Sequence, residues 1–538
     1  MRRPAALPDR AVLASLLALA ALALPAGEGR AGDGAPAAFP YEEATAAELQ
    51  ARMQAGLLTA RGLTEAYLAR IGSLDPQLQS VLEVNPDALA IADALDAERK
   101  AKGPRGPLHG IPVLVKDNLA TGDKMMTTAG SLALYGVRTA RDAFVVERLR
   151  AAGAVILGKT NLSEWANIRS THSSSGWSGR GGQVHNPYAL DRNPCGSSSG
   201  TGAAIAANLA TIGVGTETDG SIVCPSASQA LVGIKPTVGL LSRSGIVPIS
   251  HTQDTPGPMA RTVADAAALL AAMVGVDSSD TATSLSKGKA SDYSKALDPN
   301  GLKGARIGVA RAKLFGSSPA ADRVTEAAIL ILKAQGATIV DPADIPHLGE
   351  YDDAENEVLQ TELKADLEGW LKQWAPRAPV RTLAEVIAWN AQHAAQELAF
   401  FGQETFEAAQ KRGPLTDPSY LKALATCRTL AREQGLEAVF AQHQLDALLA
   451  PTGGTPWVTD LVTGDHFGMS SSSPAAVSGT PAITVPAGWD RGLPLGITFM
   501  GPAWSEATLI KYAYAYEQAT HARRPPRLLP TADLGPQR

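Results

Sequence analysis

The segment Asn193 to Ser226, NPCGSSSGTGAAIAANLATIGVGTETDGSIVCPS, concentrates hydroxyls and glycines and is poor in charge. It opens on Gly196-Ser197-Ser198-Ser199-Gly200-Thr201-Gly202 and reaches a second polar turn, Gly215-Thr216-Glu217-Thr218-Asp219-Gly220-Ser221. Glycine lets a backbone turn sharply and aim successive N–H groups at one point. A serine hydroxyl can attack a carbonyl or relay a proton, but it needs a base. The customary base is histidine, and the nearest ones, His185 and His251, lie outside the segment. Upstream, Gly110-Ile111-Pro112-Val113-Leu114-Val115-Lys116-Asp117-Asn118 ends an apolar, β-branched run on a lysine. A strand of this composition carries Lys116 into the interior. Burial there disfavours the ammonium, so a neutral amine becomes available as a general base.

Three pieces of sequence together resemble the amidase signature family: GIPVLVKDN around Lys116, CGSSSGTG around Ser197 and GTETDGSIVCP around Ser221. The family's two working serines lie 24 residues apart, as do Ser197 and Ser221. The likeness continues through Gly233-Ile234-Lys235-Pro236-Thr237 and Gln253-Asp254-Thr255-Pro256-Gly257-Pro258-Met259, and in kind from about Phe39 to about Pro526. Wording such as GPLHGIP, GKTNLSEWAN, GTETDGSIVCP and AYAYEQ is similar to that of bacterial peptide amidases, which hydrolyse a C-terminal carboxamide.

The resemblance implies a Ser–Ser–Lys relay. Lys116 takes a proton from Ser197, Ser197 takes one from Ser221, and Ser221 forms an acyl-enzyme that water then releases. Ser197 returns a proton to the departing amine, because an amide anion is a very poor leaving group. The backbone N–H groups of Thr218, Asp219, Gly220 and Ser221 are expected to hold the oxyanion. Gly196, Ser198 and Ser199 support the loop, and the family's cis peptide before the relay serine falls at Gly196–Ser197. No metal and no organic cofactor is required. Most family members carry a second Gly at the position of Asp219 and an Arg at that of Val223, so no role of that Arg transfers. Asp219 either shapes the substrate side of the turn or caps it.

The remaining chain must position these groups. Helical and apolar-strand patterns alternate, the α/β signature. The expected fold is one large α/β domain over residues 32–538, a mixed twisted β-sheet core covered by helices on both faces, with core motifs in 106–262. The segment Ala44 to Lys102 reads as helical, with Leu49, Met53 and Leu57 recurring at i+4. Strands are expected at Ile111–Lys116, Ala154–Leu157, Ile212–Val214, Leu231–Ile234, Ala305–Ala310, Thr338–Val340, Asp446–Ala450, Ala482–Val485 and Leu495–Met500. Helices are expected at Ala143–Ala152, Ala203–Ala210 and Asp322–Gln335, and one begins near Ser505 as N-cap. Ala354 to Gln442 reads as a helical insertion, with Leu359, Leu363 and Leu367 on one face, covering the active site or its rim.

Composition agrees with a large enzyme: 45% hydrophobic and 19% charged residues can fill a core. Residues 1–31 read as an export signal, with Arg2, Arg3 and Arg10 before the apolar run Ala11 to Leu24 and the small-residue site Gly29-Arg30-Ala31. The run is too short to span a bilayer, so a periplasmic or secreted protein without a stable membrane span is expected. Removing that segment would take the formal charge from −5 to −7, which argues against nucleic acid as a partner. The expected partner is a small-molecule or short peptide amide. Three cysteines, Cys195, Cys224 and Cys427, leave at least one free thiol and are not spaced as metal ligands.

Several motifs are refused on physical grounds. Gly153-Ala154-Val155-Ile156-Leu157-Gly158-Lys159-Thr160 matches a Walker A pattern, but its middle is a buried strand rather than a phosphate-cradling loop. Gly196-Ser197-Ser198-Ser199-Gly200 matches GxSxG without the preceding strand a nucleophile elbow needs. Ser284-Leu285-Ser286-Lys287 lies in a polar linker. The nine histidines form no metal or triad pattern, and His109 beside the Lys116 strand reads as structural. The other readings within reach are an amidase acting on fatty, aryl or other small amides, a tRNA amidotransferase subunit, against which the export signal argues, and a catalytically silent binding protein.

Overall fold

The computed structural model describes residues 39–535, so the expected export signal lies outside the described residues. Residues 39–42 form a turn closed by the Glu42 N–H on the Phe39 carbonyl (3.1 Å). From Glu43 onward the chain forms one α/β body. Its strands are β1 (Val81–Val84), β2 (Pro112–Lys116), β3 (Val155–Thr160), a small hairpin of β4 (Trp177–Ser178) and β5 (Gly182–Gln183), β6 (Ile212–Glu217), β7 (Val232–Lys235), β8 (Thr255–Ala260), β9 (Arg306–Val309), β10 (Thr338–Val340), β11 (Ala447–Pro451), β12 (Ala482–Asp490) and β13 (Leu493–Met500). All but the hairpin join one eleven-stranded sheet in the order β1-β3-β2-β6-β8-β7-β12-β13-β11-β9-β10.

The sheet is mixed. β2 runs parallel to both β3 and β6, while β8 is antiparallel to β6 and β7. Parallel strands covered on both faces read as continuous apolar runs, and every residue of β2, β3 and β6 is buried. Helices Ser199–Ala206, Val263–Met273, Pro319–Ala334 and Glu506–Thr520 pack against the sheet. The first is built from small residues, all of them buried. Its glycines allow that closeness: a Cβ on Gly200 would lie 2.4 Å from the carbonyl oxygens of Asn161 and Ser80.

The expected elements are present with shifted ends, and some readings need correction. Ala44 to Lys102 is not helical throughout. Helix Ala46–Gln54, closed by a Thr45/Glu48 capping box, stops before Leu57, which is 79% exposed and belongs to no apolar stripe. Strand β1 interrupts the same segment. β8, with two prolines in TPGPMA, lacks an apolar pattern and escapes a periodicity reading. The small-residue helix begins at Ser199 rather than Ala203, and β6 runs on to Glu217, so three residues read as turn are strand. Ser505 occupies the N-cap position without a capping bond from its side chain.

Residues 352–443 are largely helical: Asp352–Trp374, Leu383–Gln392, Ala394–Glu397, Glu404–Gln410, Pro418–Cys427, π-helical turns at Arg428–Leu436, and Glu437–His443. Leu363 and Leu367 are buried, whereas Leu359 faces a cleft described below. No helix among the described residues is long and apolar enough to cross a membrane.

Candidate active site

The C-terminal ends of β2 and β6 lie side by side because the two strands are parallel neighbours. β2 ends on Lys116 and β6 on Glu217. Lys116 is completely buried, and its Nζ lies 2.7 Å from Ser197 Oγ, 2.9 Å from Thr216 Oγ1 and 3.2 Å from the Thr216 carbonyl oxygen. Burial lowers the Lys116 pKa to about 7, although Asp254 and Glu217 pull it upward. A neutral amine has two N–H donors and one lone pair. If both donors serve Thr216, the lone pair remains for the Ser197 hydroxyl.

Ser197 is held by the loop that leads into helix Ser199–Ala206. The Gly196–Ser197 peptide is cis, as the family resemblance implies. Gly196 has no room for a side chain, since a Cβ there would sit 2.2 Å from Ser163 Oγ. Ser198 Oγ donates to the Thr216 carbonyl (3.1 Å) and accepts from the Thr216 N–H (3.2 Å). Ser199 Oγ donates to the Cys195 carbonyl (2.7 Å). Ser198 and Ser199 therefore support the loop, one against β6 and the other within the loop.

Ser221 lies in the turn between β6 and the short helix Val223–Ala227. The Glu217 side chain fixes this turn by accepting the N–H groups of Ile222 (2.7 Å) and Val223 (2.9 Å). Thr218 Oγ1 donates to Asp254 (2.5 Å), whose other oxygen accepts the Ile249 and Ser250 N–H groups. Gly220 has φ +81°, a conformation in which glycine is unstrained. Among the described residues, none of the backbone N–H groups of Thr218, Asp219, Gly220 and Ser221 donates to a protein acceptor. They line a cleft of about 570 Å³ together with Gly196, Cys195 and Cys224.

Two links join the serine loops. The Ser198 N–H donates to the Ser221 carbonyl (3.1 Å), and a disulfide connects Cys195 to Cys224. Cys427 is the free, buried thiol. Residue counting required one free cysteine but could not assign the pair.

Sequence reasoning missed Thr216, the second contact of Lys116, and Glu355, which reaches the cleft from helix Asp352–Trp374. No local signal marks Glu355, whereas Thr216 stands inside the Ser221 motif. The Asp219 side chain lines the cleft, with Oδ2 accepting from Ser473 Oγ (2.6 Å). Burial, with Asp352 nearby, raises the pKa of Asp219, and burial, with Asp219 nearby, raises that of Glu355 to about 8. Gln253 donates to Glu355 Oε1 (2.8 Å) and to the Thr218 carbonyl (3.4 Å).

The refused motifs are absorbed by the fold. Lys159 lies in β3 with Nζ on the Leu119 carbonyl (2.6 Å) and Thr127 Oγ1 (3.0 Å), not in a phosphate loop. His109 is buried, its Nε2 bonded to the Leu95 carbonyl (2.9 Å). His251, Glu362 and Asp366 have ligand-type atoms within 4.8 Å of one another. Asp366 takes Nδ1 of His251 (2.8 Å) and Glu362 lies 3.5 Å from Nε2. Carboxylates on opposite sides of one ring form an ion-pair arrangement, and Asp366 raises the His251 pKa.

The fold and cleft are those of an amide-hydrolysing enzyme family, and the chain belongs to it: the family model described as Amidase matches residues 62–510. The chain is 42% identical over 501 residues to a protein of Arabidopsis thaliana named as a probable amidase, covering 91% of this chain and 93% of that one. It superposes on the native peptide amidase from Stenotrophomonas maltophilia with TM-score 0.87 and 53% identity, over 91% of this chain and 99% of that one. An amidase family protein from Bacillus anthracis str. Ames gives TM-score 0.82 and 38% identity, over 90% and 92% of the two chains.

Proposed function

We propose that this amidase hydrolyses the C-terminal carboxamide of short peptides to the free acid and ammonia, through a Ser–Ser–Lys relay, after export from the cytoplasm. The observation that carries the chemistry is the buried Lys116 amine 2.7 Å from Ser197 Oγ, with its pKa lowered to about 7. A base with that pKa is half neutral near neutral pH, where proton transfer is most effective. Lys116 draws the Ser197 proton, Ser197 draws that of Ser221, and Ser221 Oγ adds to the amide carbon. Charge then develops on the carbonyl oxygen, and the free N–H groups of Thr218 to Ser221 are suited to receive it. Collapse of the adduct breaks the C–N bond as Ser197 delivers its proton to the nitrogen. Water repeats the sequence on the acyl-enzyme.

The peptide substrate is supported by the 53% identity to a peptide amidase. Export is supported by the N-terminal sequence and by the Cys195–Cys224 disulfide, a bond characteristic of oxidising compartments. Selection of a terminal amide over an internal bond must come from shape. Helix Asp352–Trp374 supplies Asp352, Glu355, Asn356 and Leu359 to the cleft wall. The test is mass spectrometry of a short peptide amide after incubation. The expected product has –COOH in place of –CONH₂ at unchanged peptide length, with ammonia released. Internal cleavage, or brisk hydrolysis of fatty or aryl amides with none of peptide amides, would overturn the substrate while leaving the relay standing.

A further inference from the structure

A second cavity, of about 150 Å³, adjoins the cleft in front of Ser221, and the two share Cys224 and Phe467 as lining residues. No Asp, Glu, Lys or Arg is among its described lining residues, whereas carboxylates, Asp219 and Glu355 among them, line the cleft. Its walls are mostly Gly, Ala, Ser and Thr, which leave the space open, and its large side chains are Trp457, His466, Phe467 and Met469. His466 is engaged elsewhere, with Nε2 3.0 Å from Asp460 Oδ2.

The aromatic side of this cavity is fastened to the segment that leads into Ser197. Asp465, two residues before Phe467, accepts from the Ser175 N–H (2.9 Å) and Oγ (2.5 Å), from Asn193 Nδ2 (3.2 Å) and from Trp457 Nε1 (3.2 Å). The Asn193 N–H donates to the Trp457 carbonyl (2.7 Å). Trp457 is thereby held at both its backbone and its ring, and the Phe467 ring packs edge-on against it with centroids 5.5 Å apart. Phe467 nevertheless stays 49% exposed, and Val458 (48%) and Val462 (89%) stand out from the same loop. Apolar surface clustered in water beside a catalytic cleft is surface that a ligand covers. A ring already fixed in place binds without the cost of ordering it, and a methionine beside it adapts to side chains of different shape.

The residue that bears a carboxamide has its Cα one bond from the carbonyl that Ser221 attacks, so its side chain must lie beside the Ser221 turn. Cys224, which the two cavities share, stands on the short helix that follows this turn. Resting on the peptide-amide reading above, we infer that this second cavity receives the side chain of the amide-bearing residue, and that Phe467 and Met469 make the enzyme select a bulky, uncharged side chain there.

The test uses acetyl-Ala-X-amide with Gly, Leu, Phe or Glu at X. The Leu and Phe amides are expected to exceed the Gly amide in kcat/KM by about tenfold or more, carried mainly by KM. The Glu amide should not exceed the Gly amide, because its carboxylate would lose water in an uncharged cavity. Phe467→Ser is expected to shrink the Leu-to-Gly and Phe-to-Gly ratios to within about threefold, whereas Phe467→Leu, which keeps an apolar side chain, should retain most of each. Met469→Ser should lower both ratios by a smaller factor, and it decides the matter if the Phe467→Ser enzyme does not fold. A role of the loop in structure alone would lower all four substrates together and leave the ratios as they were. Wild-type ratios near one overturn the inference, as does a Glu amide turned over as well as the Leu amide, or folded variants that keep the wild-type ratios. Each of those results leaves the amidase reading in place, whereas turnover of none of the four counts against the peptide-amide reading and removes the inference with it.

Discussion

Replacing Lys116 by Met should have two effects, one on the pH dependence of stability and one on activity, both traceable to one buried amine. Its pKa is about 7 in the fold, against 10.5 for a lysine side chain in water. Between those values the unfolded chain holds a proton that the native state lacks, so native stability rises with pH by about 1.4 kcal/mol per unit. Below pH 7 both states are protonated and the slope vanishes. Wild-type stability relative to Lys116→Met should therefore rise by about 2 kcal/mol from pH 7 to pH 9, since the amine is already half neutral at pH 7. The hydrogen bonds lost to Ser197 and Thr216 are lost equally at both pH values and cancel in this difference. The assay is urea denaturation of both proteins at pH 6, 7, 8 and 9, read by circular dichroism. Activity should fall by about 10²-fold or more in the variant, the usual worth of a positioned general base. In the wild type, kcat/KM should fall about tenfold per pH unit below 7, as the amine protonates. A pH-independent stability difference, together with a wild-type rate flat down to pH 5, would refute the claim that this lysine is neutral at work.

Ser221→Ala should abolish ammonia release while leaving the circular dichroism spectrum and melting temperature near those of the wild type; retained turnover would remove Ser221 as nucleophile. Reduction of the Cys195–Cys224 bond, or the Cys195→Ser/Cys224→Ser double variant, should cost about 3–4 kcal/mol for a loop with its sequence separation of 29. Activity should fall with it, because the bond ties the Ser197 loop to the helix after Ser221; full activity in the double variant would show the link dispensable. Incubation with EDTA should leave the rate unchanged, whereas loss on chelation with recovery on added zinc would contradict the relay.

The fold was legible wherever a local pattern and a buried position coincide. The Lys116 strand reads correctly because a parallel strand covered on both faces must be continuously apolar, and a lysine at its end then has nowhere to go but inward. β8 was not legible, since two prolines replace the apolar alternation and antiparallel pairing with β6 and β7 supplies the order. Leu57 repeats the spacing of Leu49 and Met53, yet the helix ends at Gln54 and Gly56 takes φ +71°, so spacing alone misassigned it. In the candidate site, Lys116, Ser197 and Ser221 stand in dense local motifs. Glu355 is 134 residues downstream of Ser221 on an ordinary helical stretch, and only the tertiary fold brings it to the cleft. The disulfide belongs with it, since three cysteines allow three pairings and only the proximity of the two serine loops chooses one.

The pKa of Lys116 joins these observations. Full burial alone would drive a lysine down by several units, leaving an amine that is always neutral but too weak a base to draw a serine proton. Glu217 and Asp254 oppose that shift and hold the group at about 7. Neither acid touches Lys116 by a hydrogen bond, and each is bound elsewhere: Glu217 on the Ile222 and Val223 N–H groups, Asp254 on Thr218 Oγ1 and on the Ile249 and Ser250 N–H groups. The carboxylates that raise the basicity of the amine are thus the ones that fix the turn carrying Ser221. A substitution at either would disturb the position of Ser221 and the basicity of Lys116 at once, so its effects on kcat and on the pH profile should be inseparable.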